Sequence, residues 1–211
     1  MDATEMKLRR LQKSETKTRR SKLCRKFPAF AAGVVVLLVL LLHGRPVQGQ
    51  GSASSEHEVK AAFLFHFSQF VDWPEGTFKE ANSPIVYCTI GEDPFHGALD
   101  ASLSGKAVGE RALRVQHFKQ VEEIRGCQIL FIGESEQKRM ASLATKLQGN
   151  PVLTVGESEH FIQEGGMIGF LLEENKIRFE INLDAAEHAK LKLSSRLLGL
   201  AKRVIGGRRG S

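Results

Sequence analysis

The chain has 211 residues, 42% hydrophobic and 26% charged, enough for one ordinary domain with its own core. The formal charge of +6 invites a nucleic-acid reading, but residues 1–26 alone hold ten Lys or Arg against three acids, and from residue 51 on 19 basic residues face 21 acidic ones. The part that can fold is near neutral, which removes the electrostatic basis for binding DNA or RNA.

In chain order, the basic start leads into "FPAFAAGVVVLLVLLL", Phe27 to Leu42, which carries no charge. A run this long falls short of the about twenty residues a membrane helix needs and suits the centre of a signal peptide. Residues 1–50 are therefore expected to be a signal peptide, or a signal anchor if it is not cleaved, with residues 51–55 a flexible mature start. Cys24 leaves with that leader. Cys88 and Cys127 remain, an even pair in an exported chain, which is the pattern of one disulfide in an oxidising compartment. A reactive Cys88 near His96 or His117 is the alternative. Against the disulfide, Cys88 stands three residues before Gly91 and Cys127 six before Gly133, so aligned strands need a stagger to bring the Cα atoms within about 7 Å.

The first helix is predicted over "EHEVKAAFLFHFSQFV", Glu56 to Val71. At 100° per residue, positions 59, 62, 63, 66, 67 and 70 share an apolar stripe, with Glu58, Ser68 and Asp72 opposite. His66 inside that stripe reads as a core histidine. Pro74 and Gly76 stop the helix and leave Trp73 exposed at its end.

Three segments then repeat one design: "PIVYCTIGEDPF", "CQILFIGESEQ" and "PVLTVGESEH". In each, a β-branched run ends at a glycine (Gly91, Gly133, Gly156), acids follow, and Asp93, Ser135 or Ser158 stands where a helix cap belongs. Runs apolar on both faces fit parallel strands covered by helices on each side. Helices are expected at about 94–103, 136–148 and 159–164, with an extra strand in "KAVGERALRVQHF". "GGMIGFLLEENKIRFEIN" reads as an antiparallel hairpin turning at "EENK", and 183–204 as a final helix, with 205–211 a frayed tail. The fold class is α/β: a compact three-layer sandwich with a mainly parallel sheet plus a C-terminal antiparallel hairpin and helix.

Catalytic readings find little support. No GxGxxG or P-loop occurs, and the acids after each strand-end glycine repel phosphate; the helix dipole explains them better. "GESEQ" and "GESEH" lack the second glycine of a nucleophile elbow, and His160 stands two residues from Ser158, the wrong helical spacing for a base. The seven histidines show no metal-binding spacing. No cofactor is expected. In "KIRFEIN", Arg178, Glu180 and Asn182 alternate with apolar residues, giving either a solvated face with an Arg178–Glu180 pair or a recognition surface for a partner or small polar ligand.

Taken together, "VKAAFLFHFSQFVDWP", "IVYCTIGEDPFHGAL", "CQILFIG", "VLTVGES", "EGGMIGF" and "FEINLDAAEHAKLKLSSRLLGLA" resemble the YfiR family of exported proteins over nearly all of residues 56–204. The resemblance implies a periplasmic α/β domain that binds the periplasmic sensor region of an inner-membrane GGDEF-type diguanylate cyclase and represses it, lowering cyclic di-GMP and biofilm formation. It implies an inhibitor by contact rather than an enzyme, a Cys88–Cys127 disulfide and a homodimer. Trp73 is then expected as an anchor, with Arg178, Glu180 and Asn182 as polar contacts. Some members carry a second cysteine pair in the stretch matching Thr154 to Gly166, and this sequence does not. The other expectation is a small-molecule-binding module serving a different membrane sensor or transporter.

Overall fold

The computed structural model describes residues 51–147 and 149–207, without the side chains of 51–55. The expected leader, 1–50, and the end of the tail, 208–211, lie outside the described residues. Helix α1 (Gly51–Gln69) leads into a short strand β1 (Val71–Asp72), followed by β2 (Ile85–Ile90), α2 (Ala98–Leu103), β3 (Ala107–Val108) and β4 (Arg111–Phe118). After a 3-10 turn come β5 (Ile129–Ile132), a second 3-10 segment (Glu134–Arg139), α3 (Met140–Leu147) and β6 (Leu153–Gly156). The chain closes with β7 (Ile168–Glu173), β8 (Lys176–Asn182), α4 (Leu183–His188), β9 (Lys192–Leu193), α5 (Ser195–Leu200) and β10 (Arg203–Ile205).

The main sheet has the order β10-β8-β7-β6-β5-β2-β4-β3, while β1 and β9 form a separate antiparallel pair. β2, β4, β5, β6 and β7 pair in parallel, and β7–β8 is the expected antiparallel hairpin. The chain starts this parallel part in the middle, steps out to β4, and crosses back past β2 to β5. That is a doubly wound order with its switch point between β2 and β5. Every residue of β5 and β6 is buried, as runs apolar on both faces require. One face of the sheet packs Tyr87, Ile129, Phe131 and Phe170 against α1, α2 and α5; the other packs Cys88, Ile90, Leu130 and Ile132 against α3 and the crossover turns. The result is the three-layer α/β sandwich.

Several local expectations shift. α1 begins at Gly51, taking in the residues read as a flexible start, and its buried side is Lys60, Ala61, Leu64, Phe67 and Ser68 rather than the stripe centred on Ala62 and His66. His66 is exposed, its Nδ1 3.3 Å from Gln69 Oε1, so it is not a core histidine. Apolar and polar residues are mixed round the helix, so periodicity could not say which side faces the sheet. The helix read over 183–204 divides into α4 and α5, because Lys190 turns with φ 60 and Ser194 caps a new helix through Leu197 N. Val204 and Ile205 then join β10, paired with Ile181 and Asn182. Residues 159–164 form turns rather than a helix, and α2 is shorter than expected because Asp93 caps a turn instead, accepting from Phe95 N and Gly97 N. Ser135 and Ser158 cap nothing: the segment after Gly133 has no side-chain cap bond, and Ser158 Oγ is buried without a partner among the described residues.

Cys88 and Cys127 form a disulfide with Cα atoms 5.9 Å apart. The stagger is absorbed outside the ladder. Cys88 pairs with Leu130, and Cys127 lies before β5, in the turn after Gly126 (φ 69), which swings it back toward β2.

The Phe161 ring lies against two glycines. A Cβ built on Gly156 would stand 2.3 Å from its Cε2, and one on Gly166 2.2 Å from its Cε1. At Gly199, in α5, a Cβ meets nothing within 4 Å. Gly156→Ala is expected to cost about 2–3 kcal/mol by overpacking. Gly199→Ala is expected to gain about 0.5–1 kcal/mol from helix propensity. Urea melts of the two variants check the contrast.

Candidate functional site

In a doubly wound sheet the ligand position is the crevice beyond the carboxyl ends of the strands at the switch point. Here protein side chains fill it. Gly91 (φ 90) makes the turn after β2, and a Cβ there would lie 2.6 Å from Glu136 Oε1. Glu136 is thus folded over the turn and buried, with Arg139 Nη1 3.1 Å from its other oxygen. Beside it Lys60 reaches in from α1, 2.7 Å from Glu56 and 2.6 Å from Glu157. Burial works against the Lys60 charge, but hydrogen bonds to Glu157 and Glu56 outweigh it and hold the pKa above the ordinary lysine value. Lys60, Glu56 and Glu157 satisfy one another, while Glu136 Oε2 is buried without a hydrogen bond among the described residues, with the Arg139 cation beside it.

The predicted contact residues do not gather at one place. Arg178 is exposed on β8 opposite Leu171, beyond the carboxyl end of β6. Trp73 lies at the other end of the sheet, edge-on to Phe78 at 6.0 Å, and Phe78 in turn carries the Arg111 guanidinium 3.7 Å from its ring centre. The Trp73 indole N–H is shielded from solvent and has no hydrogen-bond partner among the described residues. Glu180 is buried and held by Arg203 in a two-pronged bridge, Nε to Oε1 at 2.8 Å and Nη2 to Oε2 at 2.6 Å. The expected Arg178–Glu180 pair does not form. Asn182 caps α4 by accepting from Ala185 N and ties the turn before β7 by donating to Ile162 O. Glu180 and Asn182 therefore brace the sheet edge, and Arg178 alone of the three faces outward.

Two features escaped the sequence reading. One is a set of exposed apolar side chains: Val59 on α1 at 43%, Leu172 on the hairpin at 60%, Leu200 on α5 at 64% and Val204 on β10 at 38%. The ring of Phe63, one turn along α1 from Val59, touches Phe170 and Phe179 at 5.9 and 5.7 Å, which places the hairpin beside it. The other is a cavity of about 680 Å³ between α3 and α4, lined by Met140, Leu143, Leu147, Val152 and Ile205 with Asp184 and His188 among its polar groups. Its volume falls in the range of small-molecule sites. Neither follows from a motif, since both arise where separate elements meet.

Among the described residues no group of three or more His, Cys, Asp or Glu side chains could hold a metal ion, and no helix is long and apolar enough to cross a membrane. Fold and site define an α/β domain whose switch-point crevice is closed and which exposes apolar side chains on several elements. The chain belongs to the YfiR/HmsC-like family, whose pattern it matches over residues 57–202. That is a family of periplasmic regulators connected in general with the diguanylate cyclase pathway. Among solved structures, it is similar to a conserved domain protein from Vibrio cholerae O1 biovar El Tor at 8% identity and TM-score 0.49, over 71% of this chain and 60% of that one. It is also similar to an ABC domain from Streptococcus pneumonia in complex with L-Trp, at 9% identity and TM-score 0.44, over 57% of this chain and 55% of that one. The chain thus spans less than two thirds of either structure.

The buried lysine supplies a test with a definite sign. Its folded pKa is raised, so its stabilising contribution is complete below the unfolded value of about 10.5 and disappears as pH rises through the folded pKa. Lys60→Met is expected to be less stable than wild type by about 1–3 kcal/mol at pH 7. Chemical melts at stepped pH should show that gap closing above about pH 10.5.

Proposed function

We propose that this domain is an exported, non-enzymatic repressor that binds the periplasmic sensor region of an inner-membrane GGDEF-type diguanylate cyclase and holds it inactive, lowering cyclic di-GMP and biofilm formation. The observation that supports it is the exposed apolar side chains of α1 and the hairpin, Val59 at 43% and Leu172 at 60%, on a chain of this regulatory family. Contact with the sensor covers that surface, and Arg178, paired with Leu171 on the opposite face of the hairpin from Leu172, supplies a separate polar contact. Glu180 and Asn182 hold the strand that presents Arg178. Trp73 anchors a second point of contact at the far end of the sheet. Repression is a population shift, in which the domain binds the inactive sensor state more tightly than the active one. The leader directs export, and the domain acts as a homodimer.

The 680 Å³ cavity favours a second reading, a small-molecule-binding module that serves another membrane sensor or transporter. Cyclic di-GMP measured in cells lacking the gene and in complemented cells separates the two. A rise on deletion that complementation reverses is the expected result. An unchanged level in cells that normally express the gene would leave the ligand-binding reading.

A further inference from the structure

The two edges of the main sheet differ. At one, β10 is only Arg203–Ile205, and Arg203 is locked onto Glu180. At the other, β4 runs eight residues, and β3 covers it only at Arg111 and Ala112. Two hydrogen bonds fix which way the β4 backbone points. Leu113 N donates outward to Lys106 O, while Phe118 O accepts from Gly91 N on the β2 side. Since N–H and C=O alternate sides along a strand, Arg114, Gln116 and Phe118 bond to β2, and Val115 and His117 point their N–H and C=O groups outward. Among the described residues neither outward pair has a backbone partner.

Among the described residues no proline, bulge or covering element closes this stretch, the usual means by which an edge is protected. The side chains instead suggest what it accepts. Arg114 is exposed and makes no hydrogen bond or ion pair among the described residues, and Lys119 follows three residues past Gln116. Of the nearby acids, Asp100 is met by His117 Nε2 at 3.1 Å and Glu123 accepts from the backbone N–H groups of Lys119 and Gln120, while Glu110 and Glu122 are exposed beyond the two ends of the stretch. A second copy of β4 would bring the same cations to this edge.

We infer that the outer edge of β4, from Arg114 to Phe118, is a docking site for an extended acidic segment of a partner protein. The segment adds as a further strand. Its backbone pairs with Val115 and His117, and one of its carboxylates meets Arg114. This holds whichever membrane protein the domain serves.

The test uses the purified protein and two short capped peptides, one alternating valine with glutamate and the other valine with lysine. The glutamate peptide should slow hydrogen exchange at the Val115 and His117 amides by about tenfold or more, and the lysine peptide should not. Arg114→Glu, which removes no internal contact, should weaken the glutamate peptide by about tenfold and turn the preference toward lysine. Val115→Pro removes an outward N–H and no ladder bond, so it should abolish binding without loss of the fold as judged by circular dichroism. Equal binding of both peptides, no protection at the two amides, or an Arg114→Glu variant that binds like wild type would overturn the inference. So would a dimer of the protein alone that already protects those amides.

Discussion

A layer of phenylalanines between α1 and the sheet carries most of the architecture. Phe67 stacks on Phe170 at 5.8 Å and meets Phe179 edge-on at 5.1 Å, while Phe131 reaches Phe170 on one side and Phe95 on the other. Each ring comes from a different element, so this one cluster joins the first helix, the hairpin, the central strand β5 and the turn before α2. Such offset and edge-to-face pairs add directional preference to the burial of large apolar area. The hairpin depends on it most, because β7 pairs with β6 at only two positions, Val155–Ile168 and Gly156–Gly169. Without the rings of α1 the hairpin would be an end ribbon with little to hold its twist.

The disulfide does for the opposite face what the rings do here. It fastens the crossover that returns from β4 to β5, the connection that defines the switch point, onto β2. Chain reversal at a switch point ordinarily opens a crevice, and in this domain Glu136, Lys60 and Glu157 close it. The consequence is a domain whose strand ends are occupied by its own side chains and whose free surfaces lie on its helical layer, cavity and edge. That arrangement fits the proposed action by contact.

Much of this was legible in the sequence. The three strand-to-glycine units give the parallel strands because both-face burial leaves a run of Val, Ile and Leu that no other element needs, and "EENK" gives the hairpin because Glu174 and Asn175 both take positive φ, 48 and 58. The rest failed for identifiable reasons. The apolar stripe of α1 that spacing picks out is covered only along its Phe63 and Phe67 side, while Val59, Ala62 and His66 on its other side stay exposed. Lys60 is buried because a partner far along the chain, Glu157, satisfies it, and Ser68 because its hydroxyl donates to Phe65 O in its own helix. The fate of Glu180 turned on Arg203, which lies 23 residues away on a strand that the helical spacing of Leu193, Leu197 and Leu200 concealed. Long-range charge pairing of this kind leaves no periodic trace.

The account rests on regulation by contact. The most direct measurement is cyclic di-GMP synthesis from GTP by the full-length cyclase in oriented membrane vesicles, with the purified protein added on the sensor side at increasing concentration. The account predicts a saturable fall in synthesis that a cyclase lacking its periplasmic region does not show. An unchanged rate at saturating protein would contradict it.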